Sequence, residues 1–259
     1  ATPNRGDGKG LRSVFNNCSH YIEITTLIRE GFLVPPKSYV VDCGVGDQLN
    51  NVSRKGNDFD MEQVEAIMNH KVINEKVVTE WIERAEGRKT VVFCSTVKHA
   101  EDLLESFVEH DIGAKLVTGD TPKDERAETL HELAYGDLQV VVNVSVLTEG
   151  FDAPAVSCIV LTRPCSQKGT MVQMIGRGLR TIDPEEFPGV VKTDCVVLDF
   201  GTSVLTHGSL EDAVDLDDRE KGEAPLKECP ECESYVPMGV QECPVCGYLF
   251  ESEKEEKEE

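Results

Sequence analysis

The chain has 259 residues, room for one large or two modest domains. Hydrophobic side chains make up 39% and charged ones 29%; no apolar run approaches the roughly 20 residues of a membrane span, which excludes a helical membrane protein and a membrane partner. The net charge of −22 argues against a uniformly basic nucleic-acid binder, yet residues 209–259 carry 17 acidic and 5 basic side chains, so −12 of it sits in one terminal stretch and leaves room for a locally basic groove elsewhere.

Ala1 stands where a start Met would, and ATPNRGDGKG lacks the basic-then-apolar layout of a signal peptide. The opening reads as loop within an internal segment. A helix is predicted over roughly 20–30, ended by Gly31, then Pro35-Pro36 and a strand near 38–43. Residues 44–58 read as loop. Met61, Val64, Ile67, Met68, Val72, Val77, Val78 and Trp81 recur at roughly helical spacing up to Gly87, predicting one or two helices over 60–86 with Trp81 in the core.

From residue 88, apolar segments alternate with amphipathic ones: strands over 90–96, 114–119, 138–144, 157–163 and 195–201, helices over 98–110, 122–136 and 169–179. This predicts an α/β fold, a parallel sheet with helices on both faces. Ligands of such sheets sit outside the carboxyl ends of the strands, here at Ser95-Thr96, Thr118-Gly119 and the loop entering LTEGFD. The chain divides into a lead-in (1–87), the sheet domain (88–208), an acidic linker (209–225), a cysteine-rich unit (226–250) and an acidic tail (251–259).

Six of the ten cysteines are scattered: Cys18, Cys43, Cys94, Cys158, Cys165 and Cys195. Three lie in apolar strands, where Cys behaves as a small hydrophobe; with no secretory signal this indicates a reducing, cytoplasmic compartment. Cys229, Cys232, Cys243 and Cys246 instead form two C-x-x-C pairs ten residues apart. Four thiolates offer Zn a closed tetrahedral set, structural because no position is left for water. A redox C-x-x-C or two disulfides are the other readings, but a thioredoxin-type motif needs one pair beside a βαβ unit. The six histidines show no ligand spacing with this cluster, and base stacking by Trp81 or Tyr248 is the lesser reading of either ring.

Two segments are richer in polar and glycine residues than a core needs: VLTEGFDAP at 146–154 and QMIGRGLR at 173–180. In the second, Gln173, Gly176, Arg177 and Arg180 fall at helical spacings, presenting both arginines together while Met174, Ile175 and Leu179 pack elsewhere. A planar guanidinium suits phosphate oxygens. A basic helix end facing solvent is the plain alternative.

VLTEGFDAPAV followed by MVQMIGRGLR resembles motifs V and VI of superfamily 2 helicases; VVFCST at 91–96 resembles motif IV, TGDTPKDER at 118–126 the loop and helix after it, and the opening ATP with Arg5 the tail of motif III. With VVLDFGTSVLTHGSLED before the four-Cys ribbon, the chain most resembles RadD-like repair helicases and their phage relatives. The resemblance implies a RecA-like, P-loop-NTPase-like helicase C-terminal domain followed by a small zinc ribbon, the second half of a motor that binds ATP between two lobes and nucleic acid across both. No G-x-x-x-x-G-K-[ST] and no DExH-type box is present, so ATP and Mg would be held with an N-terminal lobe upstream of Ala1, and this chain alone is expected not to hydrolyse ATP.

By the same resemblance, Arg180 is the γ-phosphate finger, Arg177 its partner and Gln173 the residue positioning nucleotide or water. Gly150, Asp152 and Gly176 line the ATP site, with Asp152 contacting the ribose or linking motifs V and VI. Ser95, Thr96, Thr118 and Gly119 grip nucleic-acid phosphates, and Thr148 and Glu149 sit between nucleotide and nucleic acid, with DNA favoured over RNA and roles in repair, recombination or phage replication. Plain readings stand beside these: Asp152 capping a turn, Thr148 a satisfied loop hydroxyl, Ser95-Thr96 capping a helix. A duplex translocase of restriction or remodelling type, or a non-catalytic adaptor whose ribbon binds DNA or a protein, are the alternative functions.

Overall fold

The computed structural model describes residues 22–148, 152–208, 210, 226–238, 240, 243 and 245–250. The motif III-like opening, Cys18, His20, Glu149, Gly150, nearly all of the acidic linker and the acidic tail lie outside the described residues. In chain order the elements are α1 (Ile24–Arg29), β1 (Pro36–Val40), α2 (Gly46–Asn50), β2 (Arg54–Lys55), β3 (Asp58–Phe59), α3 (Met61–Met68), α4 (Lys71–Ala85), β4 (Thr90–Phe93) and α5 (Val97–Glu109). They continue with β5 (Ala114–Val117), α6 (Lys123–Tyr135), β6 (Val140–Asn143), β7 (Cys158–Leu161), α7 (Lys168–Gly176), β8 (Cys195–Asp199), α8 (Ser203–His207), β9 (Leu226–Glu228) and β10 (Tyr235–Pro237).

Six strands form one sheet in the order β1-β8-β7-β4-β6-β5, every neighbouring pair parallel. Successive side chains of a strand point to opposite faces, and the core divides accordingly. Val91, Phe93, Val141, Ile159, Leu161 and Val197 pack with Leu133 of α6 and Met171, Met174 and Ile175 of α7. Val92, Val142, Val160, Val196 and Leu198 pack on the other face with Met68 of α3, Trp81 of α4 and Leu103 and Phe107 of α5. Both faces are dry, which is why these strands read as continuous apolar runs. Trp81 is core as expected, its ring edge-on to Phe107 at 5.7 Å and its Nε1 donating to Thr90 Oγ1 at 2.7 Å. Among the described residues, no helix is long and apolar enough to cross a membrane.

The structure corrects the expectations in two places and decides a third, the choice between one helix and two over 60–86. Residues 44–58 are not all loop: they hold α2 and the two-residue strands β2 and β3, joined through Gly56 at φ +68°. Strands this short leave no periodic signal. The helical stretch over 60–86 is two helices, broken at Asn69 with ψ 64°. The first strand begins at Pro36 rather than near 38; a proline is tolerated there because β1 is an edge strand.

The cysteine-rich unit pairs β9 with β10 antiparallel and places β10 beside β1, at an edge of the sheet. Arg84 of α4 joins the two regions. Its guanidinium lies 4.5 Å over the Tyr39 ring and donates to Glu80 and to Glu233, each at 2.8 Å.

Candidate functional site

The arginine-bearing segment is shaped by glycine. A Cβ at Gly178 would stand 2.4 Å from Cys195 Sγ and 2.8 Å from Ile159 Cγ1, so only glycine lets this backbone lie flat on the sheet. Helix α7 therefore stops at Gly176, and Arg180 is not on its face: it stands in a bridge with Leu33, beside Val34 N donating to Leu179 O at 2.8 Å. The segment before β1 thus sets where Arg180 points, a long-range pairing that helical spacing could not show.

Both arginines turn to the 146–154 segment. Arg177 donates from Nε and Nη2 to Thr148 O at 3.1 and 2.6 Å, and Arg180 Nη1 pairs with Asp152 Oδ1. Asp152 therefore links the two segments. With side-chain exposures of 37% and 71%, the Arg180–Asp152 pair is a surface pair worth roughly 0–1 kcal/mol, so an incoming phosphate can redirect Arg180 at small cost. Gln173 lies half-buried on α7, and beside Gly176 there is open space.

The loop that carries Thr148 hangs from a residue that the sequence reading missed. Asn143, fully buried at the end of β6, donates from Nδ2 to Val92 O at 2.8 Å and accepts from Leu147 N at 3.3 Å. An amide closing an otherwise apolar strand was the available signal. Ser145 then turns the chain at φ +61°, and Thr148 Oγ1 donates to Ser145 O at 3.3 Å.

The strand-end hydroxyls are gathered at the carboxyl edge, and several are already engaged. Ser95 is buried, its Oγ 3.0 Å from His99 Nδ1. Thr96 caps α5, accepting from His99 N at 3.2 Å and donating to Glu65 at 2.6 Å, so the plain capping geometry is displayed at Thr96, whereas the Ser95 hydroxyl is engaged by the His99 ring. Burial drives the His99 pKa down to about 4 although Glu65 and Asp102 oppose it. Thr118 accepts from Asp120 N at 3.3 Å, and Arg126 ties its carbonyl at 3.0 Å, while Gly119 beside it is exposed.

Further along the same edge, Asp199 accepts from Gly201 N at 3.0 Å and Val204 N at 2.6 Å. Burial pushes this carboxyl up to about 6 against those bonds. A Cβ at Gly201 would fall 2.4 Å from the Arg163 carbonyl carbon. Arg163, only 4% exposed, pairs with Asp58 of β3.

In the cysteine-rich unit the four Sγ atoms lie within 4.8 Å of one another, Cys229–Cys246 at 3.6 Å and Cys232–Cys243 at 3.7 Å. Tetrahedral bonds of about 2.3 Å place sulfurs roughly 3.8 Å apart, whereas a disulfide needs about 2 Å. The donor set fits a metal. Each pair is wrapped by backbone bonds: Cys229 N to Ser234 O at 3.0 Å, and Cys243 N to Tyr248 O at 2.7 Å with Gly247 N to Cys243 O at 2.9 Å. Against burial, N–H groups of Cys246 and Val245 lower the Cys243 thiol, while burial and the neighbouring sulfurs raise Cys246.

Residues 72–181, from α4 to just past Arg180, match the helicase conserved C-terminal domain. The chain carries a superfamily 2 helicase C-terminal lobe. Residues 227–252 match the uncharacterised protein family UPF0547. The chain is 29% identical over 203 residues to IRC3 of Saccharomyces cerevisiae, an ATP-dependent helicase by name, covering 77% of this chain and 28% of that protein. The 51.5 kDa protein of a Lactococcus phage is 24% identical over 99% of this chain and 56% of its own length. The chain thus spans about a quarter to about half of these relatives. A fragment assigned to the HsdR subunit of a type I restriction enzyme from Vibrio vulnificus YJ016 shares the fold, with a TM-score of 0.63 at 22% identity over 91% of this chain and 44% of that one.

Proposed function

We propose that this lobe is the nucleotide-responsive half of an ATP-driven nucleic-acid motor, a helicase or translocase of RadD-like type, with DNA as the favoured track and repair, recombination or phage replication as its setting. One observation supports the reading: Arg177 and Arg180, the candidate γ-phosphate contacts, are bonded to Thr148 and Asp152 of the 146–154 segment, which on this reading lies between nucleotide and nucleic acid. A first lobe would hold ATP and Mg, which supply the phosphoanhydride and its charge-neutralising ion. This chain's part is to swing Arg180 from Asp152 to the γ-phosphate, with Arg177 beside it and Gln173 positioning the nucleotide or attacking water. Because Arg177 grips the Thr148 carbonyl, a shift of the arginine side is passed to the Thr148 loop, and from there to phosphates reached by Gly119 and Thr118. Such backbone contacts position a strand without reading its sequence.

We propose further that Cys229, Cys232, Cys243 and Cys246 hold one structural Zn. Nucleic-acid-stimulated ATP hydrolysis by the chain joined to its first lobe, compared with the 259 residues alone, tests the reading. Stimulated turnover by the joined protein and none by the lobe alone is expected; a joined protein inert with every nucleic acid would favour the adaptor function instead.

A further inference from the structure

The hairpin β2–β3 is an element that the helicase motifs leave unexplained. Two residues per strand cannot hold themselves together in water, yet this hairpin is fastened from several sides. Arg163 pairs with Asp58, Ser166 Oγ and Gln167 Nε2 donate to Asn57 O at 3.1 and 3.3 Å, and Gln63 Nε2 donates to Ser53 Oγ at 2.7 Å. Its last residue, Phe59, packs against the core beneath α3.

These anchors place it at the carboxyl edge. Arg163 follows β7, the direct neighbour of β4, and α3, which the hairpin enters, sends Glu65 to Thr96 at 2.6 Å. The hairpin thus shares a rim with Ser95, Thr96 and the end of β8.

It also brings positive charge there, in a chain of net charge −22. Arg54 and Lys55 are both exposed. Lys55 meets Glu62 only at 3.7 Å, with both side chains largely exposed, a pairing that leaves its charge available. A hairpin that merely sealed the core would need neither the exposed cations nor a guanidinium buried beneath them, since burying that charge is costly unless it is paired and held.

We propose that the β2–β3 hairpin is a nucleic-acid grip: Arg54 and Lys55 are its phosphate-binding cations on the rim, and the Asp58–Arg163 strut sets the height of the hairpin above the strand ends. The inference rests on the helicase reading of the lobe and adds a contact outside the motif residues. The ligand is the sugar–phosphate backbone, so binding is independent of sequence.

The test measures anisotropy of a fluorescein-labelled oligothymidylate titrated with the protein joined to its first lobe, between about 50 and 200 mM salt. Each phosphate contact on a single strand contributes about 0.7 to the slope of log K against log salt. Arg54→Ala and Lys55→Ala are each expected to flatten the slope by about 0.7 and to weaken binding severalfold at the lower salt. Asp58→Asn separates positioning from charge: it removes a negative charge, so electrostatics alone would tighten binding, whereas a released hairpin weakens it, with Asp58→Glu restoring part of the loss. Unchanged slopes in Arg54→Ala and Lys55→Ala with normal wild-type binding would overturn the grip and leave the helicase reading intact. A wild-type protein that binds no oligonucleotide would overturn both.

Discussion

The sheet lobe and the cysteine-rich unit reach order by different means. In the lobe, alternate side chains of five or six strands are sealed under helices on both faces, and each fully buried Val, Leu, Ile or Phe contributes about 1.5–3 kcal/mol. The smaller unit buries Cys229, Val236 and Cys243, with Tyr248 and Phe250 packed around them. Three side chains cannot offset the ordering of some 25 residues at roughly 1–2 kcal/mol each. The lobe is held by area and, on the zinc site we propose, the smaller unit by its four sulfurs, so each is vulnerable to a different insult.

Cys243→Ser is expected to produce the largest effect and to confine it to one side. Loss of metal-linked free energy on the order of 10 kcal/mol would unfold residues 226–250, read as loss of bound zinc and of amide protection there, while the melting transition of the lobe persists. A lobe that melted with the ribbon would break the comparison. Steric damage within the lobe should do the reverse: Gly201→Ala forces a methyl onto the Arg163 backbone and is expected to cost about 3 kcal/mol or more in denaturant melts, with zinc content unchanged.

The pH response belongs to the lobe as well. His99 is held neutral with its folded pKa depressed to about 4 by burial, so its contribution is fully present above the ordinary value near 6.5 and is lost as pH falls through 4. Wild type should therefore lose on the order of 3 kcal/mol more than His99→Gln across that window, measured as the difference between their stability–pH curves; parallel curves would refute it. The smallest effect is expected at the joint. Arg84→Ala removes the link to Glu233 and should cost about 1 kcal/mol or less, seen as faster amide exchange in β10 with little change in either melting transition.

How much of this was legible follows from the range of each signal. The sheet, its two-faced core and Trp81 announce themselves in local periodicity, and the four cysteines in their spacing. Arg177, Arg180 and Asp152 stand out as a dense polar run in an apolar context. What escaped is long-range or short: the bridge from Leu33 that places Arg180, the two-residue strands of the hairpin, and the pairing of Arg163 with Asp58 across 105 residues. Ser95 and Thr96 were visible as hydroxyls at a strand end, but only coordinates show those hydroxyls turned to His99 and Glu65.

On the function we propose, Arg180 serves the nucleotide from this lobe. Arg180→Ala, in the protein joined to its first lobe, tests it by measuring ATP affinity and nucleic-acid-stimulated turnover side by side. A guanidinium that acts on the transferring phosphoryl group predicts turnover lower by on the order of 10³ or more with ATP affinity changed only severalfold. Turnover near the wild-type rate would contradict the account.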